Sequence, residues 1–233
     1  MHAFDLSAIL QNPDYRAMLI LGARMTLIVA ACSWLLAMVL GLLLLTVRLT
    51  PSKIAQRFVS VYVSYHRNVP TLVQLMLWYF GISNLLPDSL QEFLADHDGE
   101  AIFAIIALGL CQAAFFSEDL RSGLRSLPVG QAEAARALGH SYVSSMRYVI
   151  LPQAVRNAIP ALVNHTVSLF KNSSLAMAIG VTELTHMVRE VESRSFRTFE
   201  AYTVATVLYL VTSLLLMASG ALLARRYSVA AAR

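Results

Sequence analysis

The sequence predicts an all-α integral membrane protein with five transmembrane helices, its N-terminus outside and its C-terminus cytoplasmic. The 233-residue chain is 57% hydrophobic and only 14% charged, with a mean hydropathy of +0.61, values outside the usual range for a soluble domain of this length. Five apolar stretches have the length that crossing ~30 Å of hydrocarbon requires. The segments after the first, third and fifth stretches are basic, whereas that after the second is acidic and that after the fourth carries no basic excess. Basic loops stay on the cytoplasmic side, which fixes the orientation. Nothing remains for a separate soluble catalytic domain, so the chain reads as a single transmembrane domain over 1–233.

The first span covers about 25–47, the 23 uncharged residues from Met25 to Val47. Asp5 and Asp14 stand where a cleaved leader would carry basic charge, so this span is expected to do its own targeting. Arg48, Lys53 and Arg57 follow, and Ile54, Phe58, Val61, Tyr62 and Tyr65 recur at helical spacing, predicting a face packed on a neighbouring helix or at the headgroups. The second span covers about 68–87, with Pro70 to begin or kink it. Asp88, Glu92, Asp96, Asp98 and Glu100 then mark an outward loop without Lys or Arg. A third span covers about 101–121, continuing through Glu118 to Arg121, whose spacing permits an intrahelical ion pair. The fourth, about 157–182, contains Lys171 and is expected to be bent or broken near Pro160; the fifth covers about 201–224 and ends in Arg225 and Arg226.

Between the third and fourth spans lies a cytoplasmic segment, about 122–156, rich in arginine. Pro128 suits an early helical position, Gln131 to Leu138 are strong helix formers, and Gly139 is placed to stop the helix in a left-handed conformation. A second short helix, about Ser141 to Ile150, is expected to end before Pro152. Ala134, Ala135 and Ala137 would leave a slim surface for close approach by another protein. An amphipathic helix lying at the membrane interface is the alternative reading of the same pattern.

The spacing Glu133, Ala134, Ala135, three residues, Gly139, nine residues, then Val149, Ile150, Leu151 and Pro152 resembles the EAA loop of permease subunits in ATP-binding-cassette importers, with Val149 in place of that pattern's isoleucine. Gly22 and Thr26, Arg67, Pro70, Leu72, Val73 and Gln74, Glu118 and Arg121, Gly130 and Gln131, Gln153 and Ala154, and Lys171 to Leu175 resemble the polar amino acid uptake branch over roughly residues 20–225. The resemblance implies a MetI-like, type I ABC importer permease fold in a bacterial inner membrane. It also implies two cytoplasmic ATPase subunits, a second permease that is a homologue of this chain, a periplasmic substrate-binding protein and an amino acid substrate. Glu133 to Gly139 would then lie in the coupling helix, with Leu151 and Pro152 completing the motif. ATP and Mg would be held by the ATPases, so this chain is not itself an enzyme and binds no cofactor.

Lys171 with Asn172 and Ser173 is the costliest feature within a span, since a central lysine costs about 2.5–3.5 kcal/mol on insertion scales. Lys171 either lines a path for an acidic substrate or forms an ion pair, with Glu118 or with a glutamate of a partner. Arg67 and Asn68 are expected at the cytoplasmic mouth of the second span, and Gln74 and Gln112 as pore or interhelix hydrogen-bond donors. The stretches RNVPTLVQLMLWYF and LFKNSSLAMAIG look most like the glutamate/aspartate branch, where Asn172 replaces an aspartate common in relatives; losing an acid beside Lys171 favours an anionic cargo. A permease for another polar amino acid, or a stand-alone channel or secondary carrier, are the alternatives. His66, His140, His165 and His186 have no ligand constellation, so no metal site is expected, and Trp34 and Trp78 read as packing residues. Cys32 and Cys111 read as small buried hydrophobes. The net charge of +4 reflects cytoplasmic loops, not nucleic acid.

Overall fold

The structure, a computed structural model, describes residues 4–227. Its helices are α1 (Ser7–Leu10), α2 (Pro13–Arg48), α3 (Lys53–Asn68), α4 (Thr71–Met76), α5 (Asp88–Ala95), α6 (Gly99–Arg125), α7 (Gly130–Ala137), α8 (Tyr142–Ser145), α9 (Leu151–Asn172), α10 (Leu184–Ser195) and α11 (Thr198–Tyr227). Wide π-type turns at Leu77–Ile82 and Met146–Ile150 continue α4 and join α8 to α9, and a tight 3₁₀ stretch, Ser173–Ile179, follows α9.

Pro13 begins α2, and the side chain of Asn12 accepts hydrogen bonds from the backbone N–H groups of Asp14 and Tyr15. The buried side of α2 is a seam of mostly small residues, Gly22, Thr26, Ser33, Ala37 and Gly41 among them, at helical spacing. Lipid tails are as apolar as leucine, so helices in a bilayer gain from close packing through small residues more than from hydrophobic burial. Along this seam α2 meets α6, whose Ala113 and Phe116 pack on Ala37.

Among the described residues, three helices are long and apolar enough to cross a membrane: Pro13–Arg48, Gly99–Arg125 and Thr198–Arg226. They correspond to the expected first, third and fifth spans. The expected second span departs from this pattern in an informative way. Its start at Asn68 is a bend inside a longer path, because α3 and α4 lie end to end beside α6. Val59 and Val63 pack on Ala114, Tyr62 Oη donates to the Leu110 carbonyl at 2.7 Å, and Leu75 shares a cluster with Ala104 and Leu108. Lys53, Arg57 and Arg67 interrupt the apolar run and hide this continuity; all three are exposed. Of the stripe expected on a neighbouring helix or at the headgroups, Tyr62 turns to α6 while Ile54, Phe58, Val61 and Tyr65 face outward, and Val59, Val63 and His66 form the buried side.

The bend has a chemical cause. Pro70 has no N–H, so the carbonyl of His66 loses its helical donor. Buried Gln74 replaces it, donating through Nε2 to the carbonyls of His66 at 3.1 Å and Val69 at 2.7 Å, while its Oε1 meets His66 Nδ1 at 2.6 Å.

In the fourth expected span, helix α9 starts at Leu151, with Pro152 in its first turn, and runs through Pro160 to Asn172 without a break. The helix expected to end before Pro152 instead continues into α9 through the wide turn at Met146–Ile150, where Leu151 N–H donates to the Met146 carbonyl five residues back. Cys111 is buried as expected, but Cys32 is exposed on the outer side of α2.

Candidate functional site

The segment between α6 and α9 is built as a small rigid unit. At the end of α7, Gly139 N–H donates to the Arg136 carbonyl at 2.9 Å and His140 N–H to the Ala135 carbonyl at 3.1 Å, the paired bonds of a Schellman stop. Gly139 has φ 85°, as the sequence predicts, and a Cβ there would meet nothing within 4 Å. The glycine is thus required by torsion and not by space.

Both ends of the unit are held. Gln153 Nε2 donates to Gln131 Oε1 at 3.3 Å and to the Val149 carbonyl at 2.8 Å, and Asn157 Nδ2 donates to Ser126 Oγ at 2.8 Å. Next to these bonds, α6 and α9 approach so closely that a Cβ on Gly123 would lie 2.3 Å from the Ala154 carbonyl oxygen.

Glu133 and Ala134 are exposed on α7, together with Ala137 and Leu138. Ala135, expected on the same slim surface, is buried at 3% exposure against the rest of the loop. Residues that sequence patterning passed over complete an apolar outer face: Val129, Leu138, Tyr142 and Val143 are 68–82% exposed. Leu151 and Pro152 belong to the start of α9, apart from α7.

A second polar region lies along α6. Glu118 pairs with Arg121 as its spacing predicts, Arg121 Nε donating at 3.0 Å, and also with Arg48 of α2. Lys171, by contrast, is exposed in the last turn of α9 and has no ion-pair partner among the described residues, so the expected pair with Glu118 is not made. Its charge sits favourably at a helix C-terminus. Asn172 is half-buried beside it, and buried Ser173 donates to the Phe170 carbonyl at 2.7 Å.

Arg67 and Asn68 are exposed at the bend between α3 and α4, beside α6. Arg67 carries its guanidinium 5.5 Å from the centre of the Phe115 ring, and the His66 carbonyl accepts from Cys111 Sγ at 3.7 Å. Gln74 is consumed by the bend, whereas Gln112 is buried with an unpaired Nε2. Trp34 packs edge-on against Phe116 and donates to Thr166 Oγ1 at 2.9 Å.

Two further sites escaped sequence reading. Asp119, buried next to Glu118, meets His165 Nδ1 at 2.6 Å, and His165 also lies against Phe115. Glu183, fully buried, accepts from the N–H groups of Thr185 and His186 and from Tyr209 Oη, each at 2.9 Å, and from Thr26 Oγ1 at 3.4 Å. It caps α10 and ties α2 to α11, and burial pushes its carboxyl pKa above the ordinary value against those donors. Both carboxylates sit among apolar residues, and their side-chain partners lie 26 to 157 positions away, so no local spacing reveals them. Among the described residues no three His, Cys, Asp or Glu side chains gather as a metal site.

Comparison with known proteins bears on this arrangement. The chain is 31% identical over 210 residues to the glutamate/aspartate import permease protein GltJ of Escherichia coli (strain K12), covering 88% of this chain and 85% of that one. It is 31% identical over 205 residues to the arginine transport system permease protein ArtQ of Bacillus subtilis (strain 168), covering 88% and 90%. The fold superposes on a crystal structure of an amino acid ABC transporter with histidines with a TM-score of 0.84 at 29% identity, covering 97% of this chain and 100% of that one. The family described as the binding-protein-dependent transport system inner membrane component matches residues 34–229. This chain belongs to the binding-protein-dependent transport system inner membrane component family.

Proposed function

We propose that this chain is a membrane-spanning subunit of an ATP-driven amino acid importer in a bacterial inner membrane. It would work with two ATPase subunits, a homologous second permease and a periplasmic substrate-binding protein. The observation that carries the reading is α7: a short helix with Glu133 on its outer face, stopped by a Schellman turn and bonded at its N-terminal end to α9 through Gln131 and Gln153, in a segment whose flanking helices α6 and α9 are joined through Ser126 and Asn157. A helix held this way moves its neighbours when it is pushed. In this reading α2, α3 with α4, α6, α9 and α11 make five crossings. The basic end of α2, the α7 segment and the end of α11 lie in the cytoplasm, and α5 lies outside. Charge reversal by Glu133→Lys is expected to abolish ATP-driven uptake and to release the ATPase during purification. Unchanged uptake and copurification would remove the coupling role, as would uptake by the chain alone without ATP.

The cargo we propose is an acidic amino acid. Relatives named for glutamate/aspartate and for arginine are equally identical to this chain, so the support comes from the site: unpaired, exposed Lys171 next to the neutral Asn172. An unpaired cation in a low-dielectric path attracts anions. The whole complex should take up labelled glutamate or aspartate in preference to arginine, and Lys171→Gln should narrow that preference. Preferential arginine uptake sinks the acidic assignment and leaves the importer reading standing.

A further inference from the structure

Between α2, α9 and α11 runs a groove of about 600 Å³ whose walls are almost wholly apolar. Its floor is one stripe of the α8–α9 helix, Arg147, Leu151, Val155, Ile159, Leu162 and Thr166, recurring every three to four residues. Trp34 and Thr166, bonded to each other, stand at one end. Arg147, at the other end, and Arg156, beside the stripe, are the only charged residues in the lining. Both arginines are exposed, and neither has an ion-pair partner among the described residues.

We propose that this groove binds an anionic phospholipid, one acyl chain lying along the stripe and the phosphate held by Arg147 and Arg156. Length supports this: Leu151 to Thr166 rises about 22 Å at 1.5 Å per residue, enough for a single leaflet's hydrocarbon, about half of ~30 Å. Charge supports it as well. Arginine is a strong phosphate ligand, and long basic side chains near a bilayer surface extend towards the headgroups. Basic pockets between membrane helices on the cytoplasmic side are suited to anionic headgroups. The inference rests on the chain lying in a membrane and is independent of its cargo.

The test is native mass spectrometry of the intact transport complex extracted from membranes, with phosphatidylglycerol and phosphatidylcholine offered in competition. The wild-type chain should retain phosphatidylglycerol selectively. A basic residue near anionic headgroups contributes about 1 kcal/mol, so the Arg147→Gln/Arg156→Gln pair should lower retention about 30-fold. Arg156→Gln alone should give part of that loss. Val155→Trp, which fills the groove and keeps both charges, should also expel the lipid, while Lys53→Gln, outside the groove, should leave retention unchanged. Equal retention of the neutral lipid, or retention that survives both the arginine pair and Val155→Trp, overturns the proposal. So does disulfide capture of Val155→Cys by the second permease, because a protein would then occupy the groove.

Discussion

At the scale of single residues, torsion and buried charge decide outcomes that side-chain chemistry alone would not suggest. Gly139 sits in open space, so Gly139→Ala fails only through its φ of 85°. An L-residue held left-handed costs roughly 1–2 kcal/mol, and asparagine tolerates it better. ATPase copurification should therefore fall for Gly139→Ala and largely recover for Gly139→Asn. Glu183 presents the opposite case, a residue defined by its partners. Glu183→Ala leaves the Thr185 and His186 N–H groups without their acceptor and should cost about 1–3 kcal/mol, read as a lower melting temperature in detergent. The pH response has a definite sign. Burial raises the folded carboxyl above its ordinary value of 4.5, so the folded chain holds this proton more tightly than the unfolded chain. The group's contribution to stability is complete below that ordinary value and is lost as pH rises through the folded one. Acidification towards that ordinary value should stabilise the wild type more than Glu183→Gln, which keeps an acceptor and cannot titrate.

At the scale of elements, the bend between α3 and α4 shows a proline and a glutamine acting as one unit. Gln74→Ala uncovers the His66 and Val69 carbonyls and should cost about 1–3 kcal/mol. Pro70→Ala returns a backbone N–H to His66, so part of the Gln74→Ala loss should vanish in that background. Thermal unfolding of the two single variants and the double variant measures the coupling, and strict additivity would separate the residues. Sequence legibility divides along the same line. The stop at Gly139 and the Glu118–Arg121 pair follow from spacings of a few residues, and the structure contains both. The union of α3 with α4 was illegible because exposed Lys53, Arg57 and Arg67 break the apolar run while Val59, Val63 and Leu75 keep their faces turned to α6. The Asp119–His165 and Glu183 sites were illegible because their partners are distant in sequence.

For the whole molecule, α6 is the spine: α2 packs along its seam, α3 and α4 run beside it, and α9 closes against it at Gly123. Its acidic approach through α5 and its basic exit through Arg121 and Arg125 give the bundle a polarity. The proposed topology predicts that Asp96→Cys in intact cells lacking an outer barrier reacts with a membrane-impermeant thiol reagent. Leu138→Cys, at a position 82% exposed, should react only after permeabilisation. The reverse pattern would invert the molecule, and the native cysteines should first be replaced because Cys32 is exposed.

The wide turn at Met146–Ile150 has one more consequence, and it concerns chain length. Each α-helical residue advances the side chains by about 100°, so the number of residues between Gly139 and Pro152 fixes which side of α9 meets α6 and which side lines the groove. A single deletion there removes little packing, yet it would rotate Ala154, Ala158 and His165 of α9 away from Gly123 and Asp119 of α6. Variation among related chains should accordingly accept substitutions through 140–150 and reject insertions or deletions, a constraint on counting more than on chemistry.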